Sequence, residues 1–206
     1  EKSRMIDDKV CEKFAKPFVL MLRAAEAAKK LLVKVNARSV TIFIGKGNNG
    51  EDGLCLAALL KVVNIKTHVI DLDYKNRSET YAYRLCLNLG INTEKYITKK
   101  IPKADWYVDA IFGIGLNRNI TGDYLKAVNY LQCSKSKKIL SLDMPSGIHG
   151  SKGNIFNKAV HATTTISFLT LKPGLFVDDA SDYIGDIYFD DLSISKTFYN
   201  PDMTSI

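Results

Sequence analysis

The sequence predicts an α/β protein, a three-layer α/β/α sandwich built around a mainly parallel sheet. Strand-like β-branched runs alternate with apolar residues at helical spacing along almost the whole chain. Three of those strand-like runs end in glycines beside an acid or an amide, as the ligand-bearing carboxyl ends of parallel strands do. With 206 residues, 46% of them apolar and 25% charged, the chain is long enough to bury a core and reads as one domain over residues 1–206.

The elements follow in order. Across residues 7–35 apolar side chains recur at helical spacing (Val10, Phe14, Phe18, Met21, Leu22, Ala25, Ala28, Leu31, Leu32), which predicts one or two helices beside the sheet. Residues 39–44, Ser-Val-Thr-Ile-Phe-Ile, form a strand, and residues 54–63 a buried helix whose start is expected near Asp52. Residues 66–71 are a short strand, and residues 78–89 a helix with Ser78 as its cap. A weaker strand is expected around Tyr96 and Ile97, then a clear one over residues 106–110. An amphipathic helix over residues 122–133 precedes strands at 138–142, at 162–169 and near 187–189. There is no repeat, linker or low-complexity tract to mark a second domain.

Composition excludes several function classes. The formal charge of +7 is spread over short clusters such as Lys29-Lys30, Lys99-Lys100 and Lys137-Lys138, and reads as a lysine-rich solvated surface with no nucleic-acid partner. No apolar run of eighteen residues and no signal-peptide pattern occurs, so no membrane association is expected. Cys11, Cys55, Cys86 and Cys133 are widely separated, three of them in apolar helical stretches, and read as reduced thiols of a cytoplasmic protein.

The first strand runs into Gly-Lys-Gly-Asn-Asn-Gly-Glu-Asp-Gly at residues 45–53. Its glycines let a ligand come close to the backbone, and a helix starting behind them offers free N–H groups to a phosphate. The spacing Gly45, Gly47, Gly50 matches the dinucleotide fingerprint, although Asn48, Asn49 and Asp52 fill it with amides and a carboxylate. Two later strands share the layout. One ends in Val108-Asp109-Ala110-Ile111-Phe112-Gly113-Ile114-Gly115-Leu116, followed by Asn117-Arg118-Asn119, and the other in Asp143-Met144-Pro145-Ser146-Gly147. In a Rossmann-like sheet such ends can meet at one site.

These three segments, in this order and at these separations, resemble the NAD(P)H-hydrate epimerase family, also known as the YjeF N-terminal domain family. Agreement extends to Met21-Leu-Arg-Ala-Ala-Glu-Ala-Ala and to Leu171-Lys-Pro-Gly-Leu175, hence over most of the chain. The resemblance implies an isomerase that interconverts the R and S epimers of NADHX and NADPHX, the nicotinamide cofactors to whose ring carbon C6 water has added. It also implies a repair dehydratase, separate or fused, as functional partner, one potassium ion per subunit, and a homodimer. By the same resemblance Asn49, Asp109 and Ser146 are the potassium ligands, and their hard oxygens suit that ion. Asn48, Asn49, Gly50, Glu51 and Asp52, with Gly113, Ile114, Gly115, Leu116, Asn117, Arg118, Asn119 and Asp143, hold the substrate.

Inverting a carbon that bears a hydroxyl beside a ring nitrogen needs no redox cofactor. The nitrogen lone pair expels the protonated hydroxyl, and water attacks the resulting iminium cation again; a ring-opening route would use the same acid/base group. The chemistry asks for one positioned acid/base and for negative charge near the cation. Asp143 is the candidate, with Pro145 restraining Met144 and stiffening the turn. Arg118 is a candidate phosphate partner, and Lys172 is either a weaker one or a solvated turn residue. Glu51, where the family pattern has glycine, would repel an anionic ligand unless its side chain points to solvent.

Two other function classes compete. A non-catalytic binding scaffold of the same fold would be expected to lose site acids, whereas Asp52, Asp109 and Asp143 are all present. An ordinary dinucleotide oxidoreductase would want an acid in a clear ribose-binding context after the second strand, and only Asp71 or Asp73 is available.

Overall fold

The computed structural model describes residues 17–76, 78–133 and 137–194. The expected helical residues 7–16, with Val10 and Phe14, and the thiol of Cys11 lie outside the described residues.

Seven strands form one sheet: β1 (Ser39–Ile44), β2 (Lys66–Asp71), β3 (Thr93–Lys95), β4 (Trp106–Ala110), β5 (Lys138–Leu142), β6 (Thr164–Phe168) and β7 (Asp186–Asp190). Their spatial order is β3-β2-β1-β4-β5-β6-β7, and each neighbouring pair is parallel. The chain steps outward from β1 through β2 to β3, then returns to the other side of β1 as β4. That reversal between β1 and β4 opens a crevice at the carboxyl edge.

The three layers follow from the two-residue period of the strands. Ile42, Ile44, Val108, Ala110, Leu140 and Leu142 pack on one face with α1 (Pro17–Lys34) and α2 (Asn48–Val62). The alternating residues Phe43, Tyr107 and Ile139 pack on the other face with Ala127, Val128 and Leu131 of α4 (Gly122–Gln132). Helix α3 (Tyr81–Asn88) joins the first face through Ala82 and Cys86, and the short α5 (Ser181–Ile184) leads into β7. On α1 the residues Leu20, Ala24, Ala28 and Leu32 recur every four positions and are all buried. The small alanines let α1 lie close on α2.

Several boundaries differ from the sequence expectation. Helix α2 starts at Asn48 rather than near Asp52, with Gly47 in extended conformation as its N-cap. Asn48, Asn49, Gly50, Glu51 and Asp52 are thus the first turns of a helix and not a loop. The cap of α3 is Thr80, whose hydroxyl accepts from the Tyr83 N–H at 3.2 Å, rather than Ser78. The edge strand β3 lies at Thr93–Lys95, just before the expected Tyr96 and Ile97. Cys55 and Cys86 are buried free thiols, while the free Cys133 is exposed.

Candidate active site

Two glycines set the geometry of the crevice. Gly45 donates to the Ala110 carbonyl at 3.0 Å, and a Cβ at Gly45 would stand 2.0 Å from the Ile111 oxygen. A Cβ at Gly50 would stand 2.0 Å from the Gly45 oxygen, so no other residue fits either position without moving backbone. The close approach seats the start of α2 directly on the ends of β1 and β4. Gly50 and Glu51 donate back to the Gly47 carbonyl at 2.9 and 3.3 Å, leaving the N–H groups of Asn48 and Asn49 outside the helix's own bonding.

A cavity of about 590 Å³ occupies this crevice. Its walls are the beginning of α1 (Pro17, Leu20, Met21, Ala24), the start of α2 (Gly47, Asn48, Asn49, Asp52) and residues 111–118. Asp143 and Lys172 complete it, beside Phe168, Leu169 and Leu192. Of the residues expected to hold substrate, Asn48, Asn49, Asp52, Gly113, Ile114, Gly115, Leu116, Asn117, Arg118 and Asp143 line the cavity, and Gly50, Glu51 and Asn119 do not. Glu51 points neither to solvent nor to the cavity. It is buried and accepts a hydrogen bond from the Thr80 hydroxyl, which ties the start of α2 to the cap of α3.

Asp109 and Ser146 form a buried polar layer behind the cavity wall. Asp109 is fully buried at the end of β4, in register with Ser141 of β5. One carboxylate oxygen accepts from the Ser146 hydroxyl at 2.5 Å and the Ile111 N–H at 3.3 Å; the other accepts from the Ser146 N–H at 2.8 Å and the Ser141 hydroxyl at 2.9 Å. Burial pushes its pKa above the ordinary range, against the opposing pull of those hydrogen bonds. Ser146 Oγ also accepts from the Phe112 N–H at 2.9 Å, and the Phe112 carbonyl lies 3.2 Å from it. The next residue, Gly113, sits between two further side chains. A Cβ there would stand 3.7 Å from Asn49 Cγ and 2.9 Å from Asp143 Oδ2.

Asn49 is the outlier of this group. Its amide oxygen and nitrogen are both buried, and neither has a hydrogen-bond partner, a condition that costs about 1–3 kcal/mol for a group left unsatisfied. Among the described residues no three of His, Cys, Asp and Glu gather as metal ligands. An ion at this edge would therefore be held by amide, hydroxyl and carbonyl oxygens with a carboxylate, the donor set of a hard cation.

Asp143 stands one residue beyond β5 with φ of 67°, in the left-handed region. For a residue with a side chain this conformation costs about 1–3 kcal/mol. Its N–H is held by the Ile166 carbonyl at 2.8 Å, and Met144 donates to the Leu142 carbonyl at 2.8 Å, so the turn is locked on both sides. The carboxylate accepts from the Ile114 N–H at 3.3 Å through Oδ2 and is ion-paired through Oδ1 with Lys172.

One residue has a different place from the one its sequence suggests, and two more carry no mark in the expected site. Lys172 is no solvated turn residue; it is 1% exposed and reaches the acid directly. Ser141 is a lone hydroxyl in an apolar strand, a signal that could have marked it. Asn157 clamps the end of the 111–119 segment, donating to the Ile120 carbonyl at 3.0 Å and accepting its N–H at 2.9 Å. Nothing in its local sequence points there.

Comparison with known proteins gives the chain's family and fold relatives. The model of the family described as YjeF-related protein N-terminus matches residues 17–174. A protein of Lentilactobacillus buchneri named NAD(P)H-hydrate epimerase is 32% identical, over 95% of this chain and 94% of its own length. One of the same name from Limosilactobacillus reuteri is 33% identical over 82% of each chain. A Coxiella burnetii protein named bifunctional NAD(P)H-hydrate repair enzyme Nnr is 32% identical over 88% of this chain, which matches 38% of that longer protein. The crystal structure of yeast ynu0, YNL200c, shares the fold with a TM-score of 0.79 at 21% identity, covering 97% of this chain and 90% of that one. This chain belongs to the family of YjeF-related protein N-terminal domains.

Proposed function

We propose that this protein is an NAD(P)H-hydrate epimerase that interconverts the R and S forms of NADHX and NADPHX with Asp143 as its acid/base. The observation that carries the proposal is the carboxyl group of Asp143, held in a left-handed strand-end turn at the wall of a cavity between the start of α2 and residues 111–118. The relatives named NAD(P)H-hydrate epimerase supply the substrate class.

In the reaction the Asp143 carboxyl gives its proton to the C6 hydroxyl while the ring nitrogen expels it as water. The carboxylate then faces an iminium cation, which its charge stabilises. Water adds to the opposite face, and the proton it releases returns to Asp143 through water in the open cavity, so no group is consumed. The N–H groups at the start of α2 and the guanidinium of Arg118, exposed among the lining residues, suit the dinucleotide's diphosphate. The apolar start of α1 forms another wall of the cavity.

A potassium ion would be held by Asn49, Asp109 and Ser146. The unpartnered amide of Asn49 supports that reading, and the ion's charge would offset the buried Asp109 and order the surrounding turns. Among the described residues no helix is long and apolar enough to cross a membrane. The free thiols of Cys55, Cys86 and Cys133 suit the reducing cytoplasm, where we place the protein. A homodimer is part of the proposal, and exposed Val33, Val35, Val62 and Val63 at the ends of α1 and α2 would suit a second copy; sedimentation of the purified protein measures it. The product's consumer would be a dehydratase, a role that the name of the bifunctional Coxiella relative supports.

The test is chromatographic. Purified S-NADHX mixed with the protein in potassium buffer should yield the R epimer far faster than buffer alone, with no reduced nicotinamide formed. A rate equal to that of buffer overturns the assignment.

A further inference from the structure

Lys172 occupies a place that an ordinary surface lysine does not. It is 1% exposed, yet it lines the cavity together with Asp143. Its ammonium donates to the Phe168 carbonyl at 2.7 Å and pairs with Asp143 Oδ1. The backbone beneath it is equally fixed. Pro173 opens a 3-10 turn, Gly174 donates to the Gly150 carbonyl at 2.9 Å, and a Cβ at Gly174 would collide with the His149 oxygen at 2.2 Å.

We propose that Lys172 is the positioning residue of the reaction, clamping the Asp143 carboxylate from behind so that its other oxygen stays aimed at the reacting ring carbon. The inference rests on the epimerase reading. Asp143 is a short side chain on a left-handed turn, and among the described residues two contacts orient its carboxylate: Ile114 N–H on Oδ2 and Lys172 on Oδ1. The Ile114 contact is long, at 3.3 Å, so the charged partner dominates. Misplacing a reacting group by 1 Å costs on the order of 100-fold in rate. An alternative use of the lysine, binding substrate phosphate, is disfavoured because both contacts of its ammonium are made within the protein and its head is buried.

The experiment is a double-variant cycle on epimerisation with kcat and KM resolved separately. Lys172→Met should lower kcat about 10- to 100-fold while KM changes by less than about threefold. Asp143→Asn combined with Lys172→Met should be no slower than Asp143→Asn alone, because a residue that acts through Asp143 has nothing left to orient. Should circular dichroism show that Lys172→Met does not fold, Lys172→Gln, which keeps a donor for the Phe168 carbonyl but removes the charge, carries the same cycle. A raised KM with kcat unchanged would make Lys172 a substrate contact and overturn the proposal. Multiplicative losses in the double variant would do the same, by making it an independent structural or catalytic element. If the wild-type protein does not epimerise, the functional reading itself fails, and this inference with it.

Discussion

The ends of β4 and β5 lie side by side in the sheet, and each carries an aspartate, yet the two are built for opposite tasks. Asp109, inside β4, is fully buried, accepts hydrogen bonds from four donors and is not among the residues that line the cavity. Asp143, just past β5, sits in a strained turn with its side chain 14% exposed and lining the cavity. The first acid ties β4, β5 and the Ser146 turn together. The second is held by one N–H and one ammonium, which leaves it able to face a substrate. The number and kind of partners, more clearly than sequence spacing, separate the enclosed acid from the one that the proposed reaction uses.

The largest effect that would sharpen this comparison is on stability. Asp109→Ala leaves the Ser141 hydroxyl and the N–H groups of Ile111 and Ser146 without their acceptor, and leaves the Ser146 hydroxyl only the Phe112 carbonyl at 3.2 Å. At about 1–3 kcal/mol for each buried donor left unsatisfied, the variant should lose at least about 3 kcal/mol in a denaturant titration. A loss below about 1 kcal/mol would mean that the β4 acid does not tie this edge together.

Next comes the proposed monovalent ion. Replacing potassium by a bulky organic cation should weaken dinucleotide binding several-fold in a calorimetric titration, since the charge at Asp109 and the amide of Asn49 would lack their partner. A rubidium-soaked crystal should show an anomalous peak among Asn49, Asp109 and Ser146. Its absence there would contradict the ligand assignment.

The smallest effect is expected at Glu51. Because this side chain turns to Thr80 and does not line the cavity, Glu51→Gln should change the affinity for the dinucleotide by less than about twofold, while costing up to about 1 kcal/mol of stability through the weakened link to α3. A markedly tighter dinucleotide would show that its charge reaches the ligand after all.

Much of this architecture was legible because buried parallel strands are written as continuous β-branched and apolar runs. For that reason β1, β2, β4 and β5 fall where the sequence places them. The start of α2 was not legible, since Asn-Asn-Gly-Glu-Asp is poor helix sequence and its helical form comes from the close seating of Gly50 on Gly45. The edge strand β3, short and polar, lacks any pattern to read. The cap of α3 was ambiguous because Ser78 and Thr80 are both good caps, and only the bond to Tyr83 decides. Asp143 could be picked out by its Pro-Ser-Gly context, whereas its lysine comes from a turn after the next strand and is visible only once β5 and β6 are side by side.

The most direct measurement of the account is the rate of epimerisation by Asp143→Asn, coupled to an S-specific dehydratase with a mixture of epimers in excess potassium. The wild-type protein should carry the whole mixture through to reduced cofactor. The variant, folded by circular dichroism, should convert the S fraction quickly and the remainder at least about 100-fold more slowly than wild type. A variant that consumes the R fraction at the wild-type rate would show that the β5 acid is as structural as its neighbour, and the mechanism would have to be sought elsewhere in the cavity.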